Sequence, residues 1–152
     1  MDLIKAPEKI LFVDDDPNIL ASFLRQLRKG FTVHTAQGGE QALEASASQG
    51  PFAVVVSDFK MPGLDGVQLL SRFRETAPDT VRILLTGYAD LETAIRAVND
   101  GNIFRLMTKP TETETMVRAL VAAIRQYRLV TAEREILRQT LAGSIKVLTE
   151  LL

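Results

Sequence analysis

FAVVVSDFKMPGLDG, residues 52–66, runs apolar and small side chains without a break as far as Asp58 and then places Pro62, Gly63 and Gly66 within eight residues. A short, uninterrupted apolar run bounded by turn formers is a strand buried on both faces, which belongs in the middle of a parallel sheet. The strand reads as Phe52–Ser57, with Asp58 just beyond it. The proline and glycines supply a sharp exit loop that keeps the carboxylate accessible.

Outward from this strand the chain alternates. Ile10–Val13 is a short apolar strand ending in Asp14, Asp15 and Asp16, and Pro17 opens a helix with Ile19, Leu20, Phe23, Leu24 and Leu27 on one face before Gly30. Phe31–Thr35 predicts a second strand and Gln41–Ser48 a short helix closed by Gly50-Pro51. After the central strand, Val67, Leu69, Leu70 and Phe73 mark a helix that Ala77-Pro78 stops, and Val81–Leu85 is a fourth strand ending in Thr86-Gly87. Asp90 is placed to cap a fourth helix carrying Leu91, Ala94, Ile95 and Val98, with Gly101 ending it. Ile103–Met107 predicts the fifth strand before Lys109-Pro110, and Thr111 with Glu114 reads as the capping box of a last helix. Five strands, each followed by a helix, require right-handed crossovers and helices on both faces. The predicted class is a doubly wound α/β domain with a five-stranded parallel sheet.

Composition narrows the function. The chain has 152 residues, 46% of them hydrophobic, a formal net charge of −1 and no cysteine. Disulfides and thiolate metal sites are excluded, bulk charge asks for neither nucleic acid nor an anionic membrane, and a cysteine-free chain without a leader or an apolar span of ~18 residues fits the cytoplasm. Lone His34, inside a strand, reads as structural.

In doubly wound sheets ligands bind beyond the carboxyl ends of the strands. That rule gathers Asp14, Asp15, Asp16, Asp58, Thr86 and Lys109 at one edge. Close carboxylates repel and stay ionised only beside a cation, and a hard oxygen donor set favours Mg²⁺ together with phosphate. Mg²⁺ on Asp15, with Asp14 holding a metal-bound water, would draw charge from a phosphoryl group attacked by Asp58, with Lys109 pairing a phosphoryl oxygen and the Thr86 hydroxyl donating to another once phosphate is present.

The segments ILFVDDDPNIL (10–20), VVVSDFKMPGLDG (54–66), ILLTGY (83–88) and LMTKP (106–110), in this order, resemble the receiver domain of two-component response regulators over residues 8 to 128. The resemblance implies a flavodoxin-like strand order 2-1-3-4-5 and Asp58 as phosphoacceptor. It makes Asp14, Asp15, Asp58 and the backbone carbonyl of Lys60 the Mg²⁺ ligands, and Thr86 and Lys109 the switch and phosphate-binding residues. It further implies a cis peptide at Lys109-Pro110 and a sensor histidine kinase or phosphotransfer protein as donor. Leu106 stands where the family has a switching aromatic. Lys60 and Tyr88 occupy positions that tune water attack on the acyl phosphate, and their bulk predicts slow dephosphorylation. The domain would catalyse only its own phosphorylation and dephosphorylation.

The tail TMVRALVAAIRQYRLVTAEREILRQTLAGSIKVLTELL (115–152) carries Met116, Leu120, Ala123, Tyr127, Val130, Arg134, Leu137, Leu141, Ser144, Leu148 and Leu151 at alternating four- and three-residue steps. This predicts residues 1–128 as the receiver and 129–152 as a helical extension, a coiled-coil linker to an output module outside this chain or a seam for a homodimer. The tail resembles the linker before HD-type phosphodiesterase modules. Arg118, Arg125, Arg128, Arg134 and Arg138 interleave with Glu133 and Glu135 and read as a solvated face, not a nucleic-acid stripe. The rival reading is a haloacid-dehalogenase-like phosphohydrolase, with Asp14 as nucleophile and Asp16 as acid, which leaves Asp58 without a role.

Overall fold

A computed structural model of the chain describes residues 5–98 and 103–151. Gly101 and the side chain of Leu151 lie outside what it describes. Five strands, β1 (Ala6–Asp14), β2 (Phe31–Gln37), β3 (Val54–Asp58), β4 (Val81–Thr86) and β5 (Arg105–Thr108), form one sheet in the order β2-β1-β3-β4-β5, with every neighbouring pair parallel. The helices are α1 (Pro17–Leu27), α2 (Gly39–Gln49), α3 (Gly66–Thr76), α4 (Leu91–Ala97) and α5 (Thr113–Leu151).

The period-two alternation of strand side chains splits the core in two. Ile10, Phe12, Val54, Val56, Ile83 and Leu85 point to one face, under Leu20 and Leu27 of α1 and Met116, Leu120 and Ile124 of α5. Leu11, Val13, Val55 and Leu84 point to the other, under Ala42 of α2, Leu69, Leu70 and Phe73 of α3 and Ala94 of α4. Both faces of β3 are therefore buried, as its unbroken apolarity requires.

Several boundaries move. β3 keeps Asp58 as its last residue instead of releasing it, and β4 likewise keeps Thr86. β5 starts at Arg105, later than expected. The expected capping box at Thr111 does not form: its hydroxyl donates to the Thr108 carbonyl at 2.9 Å, and the first helical bond runs from Met116 N–H to Glu112 O at 3.0 Å. Lys109-Pro110 is cis, and so is Gly50-Pro51. His34 sits edge-on to Phe52 and beside the Gln49 amide, a structural setting.

α5 is a single 39-residue helix. Its face is buried as far as Ile124, and Tyr127 packs partly against the same core. Beyond it, Arg128 pairs with Glu8 at the start of β1 and Arg134 pairs with Asp79 at 2.8 Å. Leu137, Leu141 and Leu148 then stand exposed. No helix among the described residues is long and apolar enough to cross a membrane.

Candidate functional site

Strand register aligns the carboxyl ends. Asp14 lies opposite Gln37 of β2, Asp58 opposite Leu85 of β4, and Thr86 opposite Thr108 of β5. The sheet thus delivers the end of β1, β3, β4 and β5 to one edge, where the chain leaves for its helices.

Asp14, Asp15 and Asp58 meet there, each offering a carboxylate oxygen within 4.8 Å of the others. Asp14 is buried, Asp58 half-buried and Asp15 exposed. Lys109 Nζ reaches between them, 2.9 Å from Asp58 Oδ1 and 3.2 Å from Asp14 Oδ2. Burial opposes the charge on Lys109, but the hydrogen bond and charge of Asp58, joined by those of Asp14, outweigh it and hold the ammonium above its ordinary pKa. Burial pushes the Asp14 carboxyl up, and the Asp58 charge adds to this against the opposing Asp16 N–H and Lys109. One ammonium facing three carboxylates leaves the cluster net negative. An all-oxygen, net-negative donor set at partly exposed positions fits a small hard divalent cation and does not fit a soft one.

The loops around the cluster are locally specified. Asp14 Oδ1 accepts the Asp16 N–H at 2.9 Å, and Asp16 caps α1 by accepting the Asn18 N–H. Asp16 therefore faces its own helix and stands outside the carboxylate cluster, which takes away the acid that the phosphohydrolase reading needs. After β3, the Gly66 N–H donates to Phe59 O at 2.7 Å, and a Cβ on Gly66 would collide with the Asp58 carbonyl oxygen and with Leu84. The glycine is required for this close approach. Gly63 takes a left-handed φ of 77° in the same loop.

The remaining expected residues surround this centre. Thr86 is buried with its hydroxyl on the Gly87 carbonyl at 3.3 Å, and the Lys109 N–H donates to the Thr86 carbonyl at 2.9 Å. Leu106 pairs with Leu84 across β4–β5 and packs half-buried against the second core cluster. Tyr88 is 77% exposed in a 3-10 turn, Tyr88–Asp90, that precedes α4. The Lys60 side chain extends from the β3–α3 loop to Asp90, 3.0 Å away.

Two participants escaped the sequence. Gln37 donates from its side-chain amide to the Asp15 carbonyl at 3.1 Å, bracing the acidic loop from β2. Gln37 lies two residues beyond the alternating pattern that marks β2, although the strand runs on to include it. Asp90 looked like a helix cap, and nothing in the linear pattern links it to Lys60, thirty positions earlier.

Known proteins are similar to this chain in sequence and fold. Residues 10–121 match the response regulator receiver domain family. The transcriptional regulatory protein GlrR of Escherichia coli (strain K12) is 32% identical over 129 residues, which cover 84% of this chain and 29% of GlrR. The chain spans about 30% of the length of the curated relatives it matches. Among solved structures, an adenylate cyclase from Rhodopirellula baltica superposes with a TM-score of 0.82 at 39% identity, covering 88% of this chain and 98% of that one. The signal receiver domain of an HD domain-containing protein from Pseudomonas fluorescens Pf-5 superposes with a TM-score of 0.74 at 35% identity, covering 81% of this chain and 98% of that one. The sheet order, the carboxylate cluster facing Lys109 and the match over most of the length lead to one conclusion: the chain belongs to the response regulator receiver domain family.

Proposed function

We propose that Asp58 accepts a phosphoryl group from a sensor histidine kinase or phosphotransfer protein and that this modification switches an output joined to α5. The observation that carries this reading is the meeting of Asp14, Asp15 and Asp58 around Lys109 at the carboxyl edge of the sheet. An Asp58 oxygen attacks phosphorus, the phosphorus–nitrogen bond of a phosphohistidine donor breaks, and the imidazole leaves with the electron pair and takes up a proton. Asp14, Asp15, Asp58 and the Lys60 carbonyl would hold Mg²⁺, which when bound offsets the negative charge gathered at the phosphoryl oxygens. Lys109, already on Asp58, moves its ammonium to a phosphoryl oxygen. Thr86 turns its hydroxyl from Gly87 to donate to another. Leu106 cannot supply an aromatic ring to follow Thr86, so the change spreads through the β4–α4 loop instead.

The chain catalyses only the gain and loss of its own phosphoryl group. Residues 1–128 act as the receiver, and residues 129–152 lead to an output module or pair with a second copy through the exposed leucines of α5. Incubation with acetyl phosphate and Mg²⁺, read by intact mass, tests this. Wild type gains one phosphoryl group and Asp58→Asn gains none. Continuous phosphate release by Asp58→Asn, abolished by Asp14→Asn, would establish the phosphohydrolase instead.

A further inference from the structure

Three helices follow an aspartate, and one of these aspartates behaves differently. Asp16 and Asp65 precede α1 and α3 with extended backbone, and each accepts a first-turn N–H, from Asn18 and Gln68. Asp90 precedes α4 with φ −108° and ψ 2°, and its side chain accepts nothing from the helix. It is wound into the 3-10 turn, where its N–H donates to Gly87 O at 3.1 Å, and its carboxylate crosses to Lys60 Nζ at 3.0 Å. The Leu91 N–H at the start of α4 bonds to the Tyr88 carbonyl of that turn, so Asp90 gives its helix no side-chain cap and instead joins the loop after β3 to the loop after β4. These loops follow Asp58 and Thr86. A local rule broken beside a functional site marks a candidate switch.

We propose that the Lys60–Asp90 ion pair is a latch that withholds Asp90 from the N-cap of α4. Release gives up the exposed ion pair and the Asp90 and Leu91 N–H bonds of the 3-10 turn and gains a side-chain cap, all of them small contributions, so a small change in charge selects between the two arrangements. A phosphoryl group on Asp58, two residues from Lys60, adds negative charge that competes for the same ammonium. Once released, Asp90 takes extended backbone, the 3-10 turn unwinds, and its carboxylate accepts from the N–H of Glu92 or Thr93. This trigger rests on Asp58 being the phosphoacceptor, whereas the latch itself does not.

Amide hydrogen exchange by NMR on the full chain without phosphodonor tests the latch. Lys60→Ala frees Asp90, so exchange at Glu92 and Thr93 slows about fivefold, the effect of restoring a cap. Asp90→Ser keeps a capping side chain and loses the ion pair, so it slows exchange similarly. In an Asp90→Ala background Lys60→Ala has no such effect. Unchanged exchange in Lys60→Ala, or equal slowing with and without Asp90, overturns the proposal. With acetyl phosphate and Mg²⁺, wild type reproduces the Lys60→Ala protection. If intact mass shows no phosphoryl group, the phosphoacceptor reading fails, and the Lys60→Ala comparison still decides the latch.

Discussion

Lys109 Nζ stands 2.9 Å from Asp58 Oδ1, so the ammonium from the end of β5 neutralises the carboxylate at the end of β3 before any ligand arrives. Lys109→Met leaves Asp58 and Asp14 facing each other uncompensated. Urea denaturation of the metal-free protein is expected to show a loss of about 1.5–3 kcal/mol at neutral pH, the range for a hydrogen bond to a charged group. Because the folded pKa of Lys109 lies above 10.5, the stabilisation is complete below that value and fades as pH rises through the folded one. The wild-type advantage should therefore hold across neutral pH and shrink only in strong alkali.

Asp14 has the opposite sign. Its pKa is raised above 3.8 by burial and by Asp58, so folding favours its neutral form, and its charge opposes folding once pH passes that value. Asp14→Asn should therefore stabilise the metal-free protein at neutral pH. Millimolar Mg²⁺ should reverse the ranking by stabilising wild type more than the variant. Thermal melts with and without Mg²⁺ check both halves.

Gly66 packs against the end of β3 with no room for a side chain. Gly66→Ala drives a Cβ into the Asp58 carbonyl and Leu84, and is expected to lower stability by about 3 kcal/mol, the upper range for overpacking. Gly30→Ala, which meets nothing within 4 Å, serves as the control in the same denaturation series.

The phosphorylated protein should lose its phosphoryl group slowly. Lys60 and Tyr88 stand two residues beyond Asp58 and Thr86, and their bulk limits the water that reaches the acyl phosphate. After donor removal, decay followed by intact mass should take minutes or longer. A lifetime of seconds contradicts this.

Self-association should depend on the exposed part of α5. Leu137→Asp with Leu141→Asp places charge on two exposed leucines of α5. Sedimentation equilibrium should show a concentration-dependent dimer for wild type and a monomer for the double variant, with unchanged melting temperature. A wild-type monomer at high concentration removes the seam.

Where apolar pattern alone sets the structure, the sequence was easily read. Val54-Val55-Val56 announced a strand covered on both faces, and the polar residues at the strand ends announced the binding edge. Strand ends were less legible, because Asp58 and Thr86 remain in their ladders through backbone pairing that ignores side-chain polarity. Side-chain partners across loops were not legible at all. Asp16 does cap its helix, as Asp followed by Pro invites, whereas Asp90, followed by Leu91, turns to Lys60 in a loop distant in sequence.

The most direct test of the account is to locate the acyl phosphate. Protein treated with acetyl phosphate and Mg²⁺ is reduced with borohydride and digested, and the modified peptide is sequenced by mass spectrometry. Conversion of Asp58 alone, lost when Mg²⁺ is withheld, is the predicted result. Modification at Asp14, or an unmodified Asp58 under full donor and Mg²⁺, would contradict it.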